Sequence, residues 1–127
     1  MVLSISVKRE YVPKSFGNDK APVAEQIKVE HFAPTIAIKE KLFPKTFEYD
    51  KNGEVKGTFE IDRPSVIRAF VKNISNLSYQ TGEEGNVAYK VRTADDLLKG
   101  PSELEELVDE LYSYFQELLN AKVEEKN

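Results

Sequence analysis

Cysteine is absent from this 127-residue chain, and histidine occurs once. The first absence excludes disulfides, thiolate metal sites and thiol nucleophiles. Taken together, the two exclude a zinc site assembled from cysteine and histidine ligands. A serine–histidine–acid triad would have to use His31, and no Gly-x-Ser-x-Gly elbow accompanies it. No apolar run approaches the roughly 20 residues that a membrane-spanning helix needs. The opening "MVLSISVKREYV" lacks a basic flank followed by a long apolar run, so no secretory leader is expected. Without one, the glycosylation patterns at Asn73-Ile74-Ser75 and Asn76-Leu77-Ser78 carry no weight. No internal repeat, low-complexity segment or Gly-rich β-α-β crossover is present.

Charge is plentiful, but of neither sign alone. The net value is −4; residues 1–56 carry ten Lys/Arg against eight Asp/Glu, and residues 57–127 carry eight against fourteen. Basic residues scattered among acids make no stripe for phosphates, so nucleic acid is not an expected partner. The carboxylate pairs Glu83-Glu84, Asp95-Asp96 and Glu105-Glu106 read as solvated surface. Adjacent acids on a helix diverge, whereas two-carboxylate chemistry needs them facing across a cleft. "DKNGE" lacks the ligand spacing of a Ca²⁺ loop, and two glutamates in "TGEEGN" would repel phosphate. No catalytic residue, metal or cofactor is expected.

Apolar periodicity supplies the architecture. Leu3, Ile5 and Val7 alternate with polar residues, and Ile27 and Val29 repeat the pattern in "QIKVEHF", as half-buried strands do. His31 continues the Ile27–Val29 face and reads as a structural residue. The connection "YVPKSFGNDKAPVAE" has no periodicity, and Phe16 is its one large apolar side chain without an element to place it. "TIAIKEKLF" reads as a short helix that Thr35 can cap and Pro44 stops. "KTFEYDKNGEVKGTFEID" reads as a hairpin with a three-residue Lys51-Asn52-Gly53 loop. Gly53 would be left-handed there, with Phe47, Tyr49, Val55 and Phe59 on one face.

Asp62 is a ready N-cap for "RPSVIRAFVKNI", where Val66, Ile67, Phe70, Val71 and Ile74 recur at helical spacing. A second hairpin joins Leu77 and Tyr79 to Val87, Tyr89 and Val91 through "TGEEGN". Thr93 with Asp96 starts a short helix that Gly100 and Pro101 end, and Ser102 with Glu105 has the spacing of a capping box. In the last helix Leu104, Leu107, Val108, Leu111, Phe115, Leu118 and Leu119 share one arc, with Asp109, Glu110 and Glu117 outside it. The order predicts a single α+β domain over residues 1–121. It is a mainly antiparallel sheet built from hairpins, carrying a short, a middle and a long C-terminal helix, followed by a frayed charged tail at 122–127.

Over about residues 27–120 the chain resembles small tail-assembly chaperones of long-tailed bacteriophages and prophages. The stretches that carry the likeness are "FAPTIAIKEKLFP", "DRPSVIRAFVKNISNLSY" and "KVRTADDLLKGPSELEELVDELYSYFQELLN". The resemblance implies a non-enzymatic protein of the host bacterial cytoplasm that binds the tape measure protein. It would keep that partner soluble until tail tube subunits polymerise, with the tube protein a further partner and homo-oligomers compatible. No nucleic acid or membrane partner is implied. Residues left over after the core is filled are the partner-binding candidates: Phe16, Tyr114 and Leu118. Tyr114, at the stripe's edge, would offer its ring to a partner and its hydroxyl to water. Rival readings are a structural virion component (a head–tail or tail completion protein) and an acidic DNA mimic.

Overall fold

The long acidic-faced stripe near the C-terminus forms the element on which the others are arranged. A computed structural model of the chain describes residues 1–4, 8–42, 62–82, 87–120 and 124–125. In it helix α4 spans Glu105–Leu119 and buries Leu107, Val108, Leu111, Phe115 and Leu119. Against it lies α2, Arg63–Phe70, which buries Val66, Ile67 and Phe70. Phe70 and Phe115 stack at a centroid separation of 4.8 Å, nearly parallel. Offset stacking of two fully buried rings joins dispersion to a large loss of wetted apolar area.

Local signals set the helix ends. The Asp62 carboxylate accepts from the Ser65 N–H at 3.0 Å and the Ser65 hydroxyl at 2.7 Å, with Pro64 in the first turn. These bonds, the Ser65 hydroxyl's first, hold the Asp62 carboxyl below its ordinary range. Helix α1, Ile36–Leu42, begins where the Thr35 hydroxyl accepts from the Ile38 N–H. Helix α3, Ala94–Leu98, has a complete capping box between Thr93 and Asp96. Lys99 is its C-cap, and at Gly100 just beyond a Cβ would come within 2.6 Å of Leu104 Cδ1. The box expected at Ser102 and Glu105 does not form. Residues Ser102–Leu104 tighten into a 3₁₀ turn, Leu104 takes the N-cap position of α4, and no side chain caps it.

A three-stranded antiparallel sheet runs β2 (Glu10–Tyr11), β3 (Lys28–His31), β4 (Val71–Ser75), with β3 central. Two expectations need correction here. Leu3, expected on a half-buried strand, is exposed, and β3's neighbour is a strand the sequence did not mark, Glu10 and Tyr11 pairing with Glu30 and Val29. The helical spacing carried through Ile74 also fails, because α2 stops at Phe70 and Val71 opens a strand. Val71 and Ile74 are nevertheless both buried. A β-bulge explains this: His31 pairs with Val71 while Glu30 pairs with Asn73, leaving Lys72 as the extra residue. The bulge shifts the side-chain phase by one, so an i, i+3 pair faces the core from a strand.

Strands β5 (Ser78–Gln80) and β6 (Ala88–Lys90) form the second expected hairpin, with Tyr79 opposite Tyr89 and their rings stacked at 5.3 Å. Leu3–Ser4 (β1) pairs with Glu124–Glu125 (β7), so part of the tail read as frayed lies beside the N-terminus. The hairpin expected around Gly53 lies outside the described residues, as do Ile5 and Val7. The class is α+β, with antiparallel sheets and a long C-terminal helix packed on them. No helix among the described residues is long and apolar enough to cross a membrane.

Leu111, fully buried at the centre of α4, tests this core. Leu111→Ala should lower unfolding free energy by about 2–5 kcal/mol, read by urea denaturation, from lost transfer energy and the cavity left behind. An unchanged midpoint would remove α4 from the core.

Candidate protein-binding cleft

The β2–β3–β4 sheet has one covered face and one open face. Alternation along β3 puts Val29 and His31 inward and Glu30 outward. Glu30 stands directly opposite Glu10, and neither carboxylate is in an ion pair among the described residues. Past β3 the Phe32 N–H donates to Phe70 O at 2.9 Å, and the chain then enters α1. The result is a cleft of about 660 Å³ lined by Arg9, Glu10, Glu30, Phe32, Ile38 and Lys72, among others. Its apolar wall is wet: Phe32 is 48% exposed, Ile38 is only half-buried, and α1 buries no residue. The bulged Lys72 leans its ammonium over the Phe32 ring, 5.9 Å from the centroid. That is a cation–π contact at an exposed site.

Behind the cleft the sheet is held by an aromatic stack. His31 is buried, and its Nδ1–H donates to Phe32 O at 2.9 Å. A carbonyl can only accept, so in the neutral ring Nε2 is the acceptor for the Tyr114 hydroxyl, 3.0 Å away. Tyr11 stacks on Tyr114 at 4.0 Å, and the Tyr11 hydroxyl donates to Glu110 at 2.5 Å. Glu110 also accepts from the Lys14 N–H, the Ser15 N–H and the Ser15 hydroxyl at 2.6–3.1 Å. Burial alone would raise the Glu110 carboxyl, but these donors outweigh it and its pKa falls below the ordinary value. The same contact acts the other way on Tyr11: burial first, then the bond to Glu110, pushes its hydroxyl well upward. Burial also raises Tyr114.

The three candidate residues do not form one patch. Phe16 is 51% exposed, beside Leu104. Tyr114 lies ten residues further along, about 15 Å at 1.5 Å per residue. It is half-buried, its hydroxyl meets His31 where water was expected, and Tyr11 covers its ring. Leu118 is half-buried and packs against the core. Sequence reasoning passed over Phe32 and the bulged Lys72. The signal present was the pair of β-branched residues Val71 and Ile74, three apart, which fits a bulged strand as well as a helix. Glu110 was assigned to the wet face and is instead the anchor of residues 11–15. Nothing local marks it, because its partners lie 95–99 positions away.

As chemistry, the cleft offers an apolar wall flanked by charges of both signs, a surface suited to a protein segment. Among the described residues no group of three His, Cys, Asp or Glu is placed to hold a metal ion.

Because the folded pKa of Glu110 is depressed, its contribution to stability is present at neutral pH. It is lost as pH falls below the ordinary value of 4.5 and through the folded value. The stability gap between the wild type and Glu110→Gln should be widest near pH 7 and narrow steadily in acid, read by thermal melts. A gap independent of pH would show that the carboxylate charge is not what holds residues 11–15.

Compared with known proteins, the chain matches no family model, no curated protein and no solved structure.

Proposed function

We propose that this protein is a non-enzymatic binding module that chaperones phage tail assembly in the host bacterial cytoplasm. It holds an amphipathic segment of the tape measure protein and keeps it soluble. One observation supports the binding role above the others: Phe32 stands exposed, with half-buried Ile38 beside it, along an open cleft that the sheet and α1 create together. An aromatic ring and a branched aliphatic on a rigid backbone offer anchor contacts for the apolar face of a helix. Arg9, Lys72, Glu10 and Glu30 at the rim can pair with either sign on the segment's polar flanks. The net charge of −4 works against self-association while the cleft is empty. The choice of the tape measure protein as partner comes from the sequence resemblance.

Co-expression with tape measure fragments encoded in the same genome tests the reading. The wild type should carry a fragment into the soluble fraction and co-purify with it. Phe32→Asp should weaken that effect about tenfold or more in apparent affinity, the loss expected for an anchor residue, with melting temperature unchanged. Failure to bind any such fragment, together with recovery of the protein in purified particles, would replace this reading with a structural virion component.

A further inference from the structure

A second groove lies beside the 3₁₀ turn that precedes α4, and its walls are unusual in backbone and in charge. Its volume is about 440 Å³, and its lining includes Phe16, Ala21, Leu77 and Leu104 with Glu25 and Glu103. No lysine, arginine or histidine lines it. Glu25 and Glu103 are exposed and in no ion pair among the described residues.

The only two non-glycine residues with positive φ among the described residues both border this groove: Phe16 at φ 61°, ψ 24°, and Asn76 at φ 62°. Asparagine tolerates that left-handed region, and here its side-chain amide clasps Ala24 O at 3.2 Å and Gln26 O at 3.0 Å. Phenylalanine does not tolerate it, and a bulky residue held there is strained. The flanking residues impose the strain. Ser15 is fixed to Glu110. Buried Asn18 donates to Pro13 O and Ile27 O and accepts from the Ile27 N–H at 2.6 Å, standing in for a strand partner. Glycine or asparagine would satisfy that turn without strain. The phenylalanine gains little burial in exchange, since half of its surface is left in water. Contact with something outside the chain is the use that such a residue leaves open.

We infer that this groove docks a protein segment that presents an apolar side chain next to lysine or arginine. The apolar side chain packs on Phe16, Leu77 and Leu104, and the cation meets Glu25 and Glu103. This rests on the binding-module reading and adds to it the chemistry of the segment and a second point of attachment, remote from Phe32. Charge complementarity selects the occupant: an acidic segment would set like charges against Glu25 and Glu103, which costs affinity.

The test uses the full chain and two synthetic amphipathic peptides, one of leucine and lysine, one of leucine and glutamate. In amide NMR spectra the lysine peptide should shift Gly17, Ala21, Leu77 and Leu104, and the glutamate peptide should not. Added salt should weaken the lysine complex. Phe16→Asn should raise the melting temperature by relieving strain while weakening the lysine peptide about tenfold. Glu103→Lys, on an exposed side chain, should weaken it without changing stability. No shifts with the lysine peptide, or a Phe16→Asn variant that melts lower or binds equally well, would overturn the groove. Shifts confined to the neighbourhood of Phe32 would also overturn it, while leaving the binding-module reading intact. That reading fails separately, if no tape measure fragment binds the wild type.

Discussion

Four hydrogen-bond donors from residues 11–15 converge on the Glu110 carboxylate, in the second turn of α4. A partly buried carboxylate needs such donors to stay ionised, and the chain between β2 and β3 supplies them as it runs back along the helix. Much of the rest depends on that anchor. It sets the Tyr11 ring on Tyr114, which places the Tyr114 hydroxyl at His31 Nε2. His31 in turn holds the Phe32 carbonyl, at the point where the central strand leaves the sheet and opens the cleft. In the other direction the anchor fixes Ser15, and with Asn18 fixed as well, Phe16 is left in a left-handed turn facing water.

The two grooves thus share a cause. Neither is a gap in the core, since the buried residues from Ile27 to Leu119 form one cluster and no buried side-chain polar atom among the described residues lacks a partner. Both are places where rigid backbone holds an aromatic ring outside that cluster. At Phe32 the device is a strand that ends at a helix–strand junction, with the β4 bulge aiming Lys72 across the ring. At Phe16 it is a turn clamped from both sides. A ring presented on clamped backbone loses little conformational entropy when a partner covers it, which favours binding over equally exposed but mobile apolar residues. The ion pairs of Arg63 with Glu105 and Asp109 join α2 to α4 at the surface. Being exposed and screened, they orient the helices more than they stabilise them.

The elements legible in the sequence were those whose reasons lie within a few residues of one another. The α4 stripe needs only the 3.6-residue period, the caps of α2 and α3 need a side chain three positions from an N–H, and the 78–90 hairpin needs alternation around a turn. Where two local accounts were equally good, tertiary pairing chose between them. Val71 and Ile74 fit a helix or a bulged strand, and hydrogen bonds to β3 decided for the strand. Ser102 and Glu105 fit a capping box, and the close approach of Leu104 to Gly100 accompanies a tighter turn instead.

By itself the sequence determined the α+β class, the position of α4 and its buried stripe, and the lack of cysteine chemistry. It could not determine which strand lies beside β3, that Glu110 faces inward to the 11–15 segment, or that Tyr114 is covered while Phe32 is not. Each of those depends on groups brought together across 18 to 103 positions of chain. A side chain's surroundings at such separations are set by how the whole core closes, which no local spacing encodes.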